Sequence, residues 1–221
     1  MERLREGSAQ FHFEEGRRLE NEGRLEAAVA EYERAIAANP RFAYPHANLI
    51  AVHGRLGNLQ RAEDHYKKAI ALDPNLSEAH YNAGILRTLN NQPKDAIRAF
   101  RTALALDPGN LDARQNLGFL LESTGNRQEA LRHYREVIAQ DPAHRLSQYH
   151  LGRNLFESRK MREALAHLEA SVDESAPHTP HALFLAALAH RALGDPAAAE
   201  QRGAQARGLA RAQDRQSLLK E

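Results

Sequence analysis

Apolar residues recur at intervals of three and four along much of the chain, as in Leu117, Leu120, Leu121 and again in Ala130, Leu131, Tyr134, Val137, Ile138. That spacing lines up one face of an α-helix, and the polar residues between supply the solvated face. Two kinds of break divide the helical stretches. Turn-forming pairs interrupt them at Glu22-Gly23, Leu56-Gly57-Asn58, Asn90-Asn91, Gly125-Asn126 and Gly194-Asp195. Harder stops follow at Asn39-Pro40, Asp73-Pro74, Asp107-Pro108 and Asp141-Pro142, one every 34 residues, where proline pushes the preceding residue out of the helical region. Pro93 and Pro196 fall instead in the first turn of a helix, where a missing N–H costs nothing. The predicted unit is helix, short turn, helix, stop.

Other positions keep the same period. Alanine recurs at Ala28, Ala62, Ala96, Ala130 and Ala164, then at Ala199 after one extra residue. Four residues later stand Tyr32, Tyr66, Phe100 and Tyr134, replaced by Leu168 and Gly203 in the last two copies. A small residue occupies Gly16, Gly84, Gly118, Gly152 and Ala187, with Ile50 the exception. Six copies result, at 9–42, 43–76, 77–110, 111–144, 145–178 and 180–213, with a lead of 1–8 and a tail of 214–221. Small residues let paired helices approach, and the aromatic fills the space this leaves. A copy of this length cannot bury its apolar face alone, so the copies must stack.

Composition narrows the chemistry. The absence of cysteine among 221 residues removes disulfides, thiolate catalysis and cysteine zinc sites together. The longest apolar run, Ala182 to Ala189, is too short to cross a bilayer, and the opening residues hold no apolar stretch of the secretory kind, so we expect no membrane insertion and, by default, a cytoplasmic protein. A formal net charge of +1 argues against nucleic acid as a partner. Histidines His12, His46 and His80 form a ladder, but one helix spacing of about 8 to 10 Å is too wide for shared coordination. The segment Asp173 to His181 gathers ligand types where the register slips, yet we expect no metal there and no cofactor elsewhere. His65, His133 and His167 read as solvated. No HExxH, GxSxG, GxxxxGK or GxGxxG motif is present, which points away from an enzyme.

The ladders strongly resemble the tetratricopeptide repeat (TPR) family, best in Ala79-His80-Tyr81-Asn82-Ala83-Gly84 with Ala96, Phe100, Ala103 and Pro108, and in Asn116-Leu117-Gly118 with Gly125, Ala130, Tyr134 and Pro142. The resemblance implies an all-α, right-handed superhelical solenoid whose first helices line a concave groove for peptides or proteins. It weakens at Glu15, where the family has an apolar residue, at Ser171 and Ala176, and at Gly203. Of the carboxylate-clamp residues found in some TPR co-chaperones, only Asn116 has a match. On the groove face, Asn48, Asn82 and Asn116 stand at 34-residue spacing, and a side-chain amide can pair with a peptide's backbone C=O and N–H without reading its side chains. With Tyr81, Phe119, Tyr149, Arg153 and Phe156 they form the candidate peptide-binding set. The expected function is a non-catalytic scaffold for a protein or peptide ligand. The alternative is a substrate-recruiting arm of a larger enzyme such as an O-GlcNAc-transferase-like glycosyltransferase. Self-association through the apolar sixth copy is left open.

Overall fold

The structure, a computed structural model, describes residues 2–218 and the side chains of 7–212. Among the described residues there are twelve α-helices and no strand. They are α1 (Glu2–Asn21), α2 (Leu25–Ala38), α3 (Ala43–Arg55), α4 (Leu59–Leu72), α5 (Ser77–Leu89), α6 (Pro93–Leu106), α7 (Leu111–Ser123), α8 (Arg127–Gln140), α9 (Arg145–Glu157), α10 (Met161–Ala170), α11 (Thr179–Ala192) and α12 (Pro196–Leu218). This is the all-α helical repeat solenoid that the periodicity implies, two helices to a copy. The lead and tail are not separate elements, since α1 begins at Glu2 and α12 runs to Leu218. The chain forms two compact units, Met1–Leu120 and Leu121–Glu221.

Each copy turns on the same backbone device. At the end of the first helix, Gly23, Gly57, Gly125 and Gly194 take φ between 75° and 88°. The next amide then reaches back to the helix, as in Asn58 N to His53 O at 2.8 Å and Asp195 N to His190 O at 2.9 Å. This is the Schellman arrangement, which satisfies the last carbonyls and favours glycine at the left-handed position. The third and fifth copies use Asn91 (φ 54°) and Arg159 (φ 61°) there. At the other stop, Asn39, Asp73, Asp107 and Asp141 are extended, as a residue before proline should be.

In the first unit, α1 pairs with α2, α3 with α4 and α5 with α6, and neighbouring copies meet through α2, α3, α4 and α5. One core cluster joins Ala28, Tyr32 and Ala35 of the first copy to Leu49 and Val52 of the second, and another joins Ala62 and Ala69 of the second to Ala79 and Leu86 of the third. The ladder of small residues is a ladder of close approaches. A Cβ on Gly16 would lie 2.6 Å from the Tyr32 ring, and one on Gly84 would lie 2.7 Å from Phe100. In the second unit, α9 packs on α8, α10 and α11, while α11 pairs with α12. Here Gly152 admits Leu168, whose Cγ and backbone N are both 2.9 Å from where a Cβ would stand.

Candidate peptide-binding groove

The side chains named by the sequence divide between the two units. In the first, the asparagine ladder is tied to the scaffold. Asn48 Nδ2 donates to Tyr32 Oη at 2.9 Å, and Asn82 Nδ2 donates to the Ala47 carbonyl at 2.9 Å, each bond crossing from one copy to the previous one. Asn116 hydrogen-bonds Tyr81 in the same sense. Burial pushes the Tyr81 phenol up, the Asp112 charge adds to this, and the bond from Asn116 opposes it. The Asn side chains therefore hold the copies in register.

Beside this ladder lies an open apolar cavity of about 210 Å³, lined by Ile85, Thr88, Leu89, Phe100, Asn116, Phe119 and Leu120. Phe100 is buried beneath it and stacks at an angle on Tyr81, ring centroids 5.9 Å apart. Leu89 and Phe119 remain 59% and 45% exposed, unusually high for large apolar side chains flanking a cavity. Leu89 and Thr88 were not legible as site residues, because Leu89 sits at the last turn of α5, where periodicity alone assigns no face.

In the second unit the candidates are drawn into internal contacts. Tyr149 Oη pairs with His181 Nδ1 at 2.7 Å and its ring lies 5.0 Å from His178. Arg153 does not offer a free charge. It donates to Glu122 Oε1 at 2.6 Å, and Asn154 Nδ2 donates to the same oxygen at 2.6 Å. Tyr134 Oη donates to Glu122 Oε2 at 3.0 Å, with the His150 ring stacked 5.0 Å from the Tyr134 ring. Burial would raise the Glu122 carboxyl, but hydrogen bonds from His150, Asn154 and Arg153, with the Arg153 charge, outweigh it and hold it at about 2. Glu122 is the hub of this polar cluster. Phe156 is half-buried on α9.

The histidine readings change. His65 and His167 are half-buried against the first helix of their own copies, not solvated: His65 Nδ1 lies 2.8 Å from His46 Nδ1, and His167 Nδ1 lies 2.6 Å from Gln148 Oε1. The His133 side chain is only 17% exposed and lies within 3.9 Å of Glu129 and Glu136. In the first-helix ladder His12 and His46 pair across their own hairpins, His12 with Glu31 at 2.7 Å, whereas His80 turns to Tyr66 and the Pro74 carbonyl of the preceding copy. In the 173–181 segment, Asp173 accepts from Ser175 and Arg145, while His178 turns to the Ser171 carbonyl at 3.1 Å and His181 turns to Tyr149. No group of three such side chains fit to hold a metal occurs among the described residues.

Family models described as tetratricopeptide repeat match residues 9–42, 43–76, 65–98, 87–153 and 149–215. The chain is a tetratricopeptide repeat protein. No curated protein sequence matches it. Among solved structures it is similar to PilF of Pseudomonas aeruginosa, with 18% identity, 93% of each chain covered and a TM-score of 0.84. It is also similar to PilW, described as a widely conserved type IV pilus biogenesis factor, with 19% identity, 89% of this chain and 91% of that one covered, and a TM-score of 0.72. A third is YrrB, described as a TPR protein with an unusual peptide-binding site, with 24% identity, coverage of 80% and 91%, and a TM-score of 0.65. At these identities the likeness is one of fold. No helix among the described residues is long and apolar enough to cross a membrane.

Proposed function

We propose that this TPR protein is a non-catalytic interaction scaffold that binds an extended segment of a protein partner, anchored by one apolar side chain in the Ile85–Phe119 cavity of the first unit. The observation that carries this reading is the pairing of an open apolar cavity with half-exposed Leu89 and Phe119 beside the amide of Asn116. A volume of about 210 Å³ accommodates a leucine or phenylalanine side chain. Asn48 and Asn82 each commit one Nδ2 hydrogen to the scaffold, which leaves the side-chain carbonyl oxygen to accept a peptide N–H and the second amide hydrogen to donate to a peptide C=O. The amide ladder and the aromatics Tyr81 and Phe119 thus belong to one site. Tyr149, Arg153 and Phe156 belong to the second unit, where Arg153 is neutralised by Glu122. Pairing of Arg153 with Glu122, and the approach of Arg55 to Glu20 at 3.8 Å, also argue against a phosphate backbone as ligand. That YrrB has a peptide-binding site on the same fold is consistent with this use.

The test is selection of peptides from a random display library on the immobilised chain. Selected sequences should share one large apolar residue, and their affinity for Phe119→Asp should fall about tenfold or more, as expected for a central apolar anchor. No enrichment, or equal binding to Phe119→Asp, would remove the proposal.

A further inference from the structure

The two end copies break the repeat in complementary ways. At the position of Phe11, every later copy carries a small residue, Pro45, Ala79, Ala113, Ser147 or Ala182, and each is buried. Ala79 shows why, since it packs in one cluster with Ala62 and Ala69 of the preceding copy. Phe11, in the first copy, is 67% exposed. At the other end, the aromatic position falls to Gly203, and Ala187, Leu188, Ala199 and Gly203 help to line an open cavity of about 510 Å³. Those are the register positions on which the next copy's first helix rests in the interior. A large side chain replaces a small one at the head, and an absent side chain replaces a large one at the tail.

Charge follows the same pattern. Glu15 stands where later copies bury Leu49, Ala83, Leu117, Leu151 or Ala186, and in the interior Leu49 shares a cluster with Tyr32 and Ile36 of the preceding copy. The tail positions equivalent to Tyr32 and Ile36 are Gly203 and Arg207. Arg207 lies over the gap, its Nη1 3.4 Å from where a Gly203 Cβ would be, and Arg191 lines the same cavity, with Glu200 its one acid. Both arginines are exposed and neither has an ion pair among the described residues. Among the described residues, the bonded partners of Glu15 and its exposed neighbour Glu14 are arginines of their own helix and Gln10.

From this we infer that the chain associates head to tail with a second copy of itself: α1 of one molecule occupies the groove between α11 and α12 of the next, Phe11 filling the cavity at Gly203 and Glu14 and Glu15 meeting Arg207 and Arg191. The interface takes the place of an internal copy-to-copy contact. Because head and tail are different surfaces, each joined molecule presents both again, so assembly continues past a dimer unless it closes into a ring. This surface is separate from the cavity at Phe119, and the two fail independently.

Sedimentation of the full chain over a graded concentration series tests this. The average mass should rise beyond that of a dimer. Phe11→Ala and Arg207→Glu should each weaken association by roughly tenfold or more, as loss of a central anchor does. Gly203→Tyr, which restores the repeat's own aromatic and fills the cavity, should do the same with the fold intact by circular dichroism. Joining Glu15→Arg with Arg207→Glu in one chain should recover much of the loss. A chain that stays monomeric throughout, or one whose association is indifferent to all three single variants, would overturn the proposal.

Discussion

Glu122→Gln is the substitution that best measures how much the polar cluster of the second unit stabilises it. The side chain is 15% exposed and accepts from Arg153, Asn154 and Tyr134 at 2.6, 2.6 and 3.0 Å. Glutamine preserves the shape but removes the charge and turns an NH2 group toward at least one of three donors. The carboxyl is held at about 2, against an ordinary 4.5. That depression corresponds to about 3 kcal/mol of native-state stability at neutral pH. Partial exposure of Arg153, 28% for its side chain, reduces the expected loss on substitution to about 2 kcal/mol. The sign with pH is definite. A carboxylate with a depressed folded value contributes fully above its unfolded value and loses that contribution as pH falls through the folded one. Urea titrations followed by circular dichroism should therefore show the wild-type advantage at pH 7 shrinking from about pH 5 downward and nearly gone by about pH 2. A difference under about 0.5 kcal/mol at neutral pH, or one that does not change with pH, would refute the reasoning.

Two glycines should behave oppositely. Gly152→Ala forces a Cβ to within 2.9 Å of the Leu168 backbone and should cost about 1 to 3 kcal/mol, whereas Gly54→Ala, with nothing nearer than 3.7 Å, should be neutral or stabilising by up to about 1 kcal/mol in thermal melts. Arg159→Gly relieves a left-handed arginine at φ 61° and should raise stability by about 0.5 to 1 kcal/mol. Burial, aided by Lys68, holds His46 at about 4, and burial with the neighbouring His46 and His53 holds His65 there too. The unfolded chain takes up these protons first, so melting temperature should fall as pH drops from about 6.5 toward 4, and less steeply in His65→Gln.

The fold was legible because its signals are redundant. Four Asn/Asp-Pro stops, an alanine ladder and an aromatic ladder share one period, and each stop and turn read from the sequence falls between two helices. The turn at Arg159 escaped notice because no glycine marks it, although the same backbone geometry operates there. The site was legible in part. Periodicity puts Asn82, Asn116 and Phe119 on first helices, but it cannot say where an amide goes, and in the structure Asn82 Nδ2 bridges to the preceding copy. Nor does it distinguish a charge at a groove from one neutralised below it. Arg153 and Glu122 lie 31 residues apart in sequence and only the stacking of copies brings them to 2.6 Å. The histidines at 65, 133 and 167 look solvated because helix polarity alone leaves them on the outer helix, whereas His65 and His167 fold back on the first helix of their own hairpins and the His133 side chain is only 17% exposed.

The most direct measurement of the central claim is methyl NMR of the intact chain titrated with a display-selected peptide. Binding in the first-unit groove predicts shifts at Ile85, Leu89 and Leu120, unchanged methyls at Leu193 and Ile138, and loss of the shifts in Phe119→Asp. Shifts confined to the second unit, or none at saturating peptide, would contradict it.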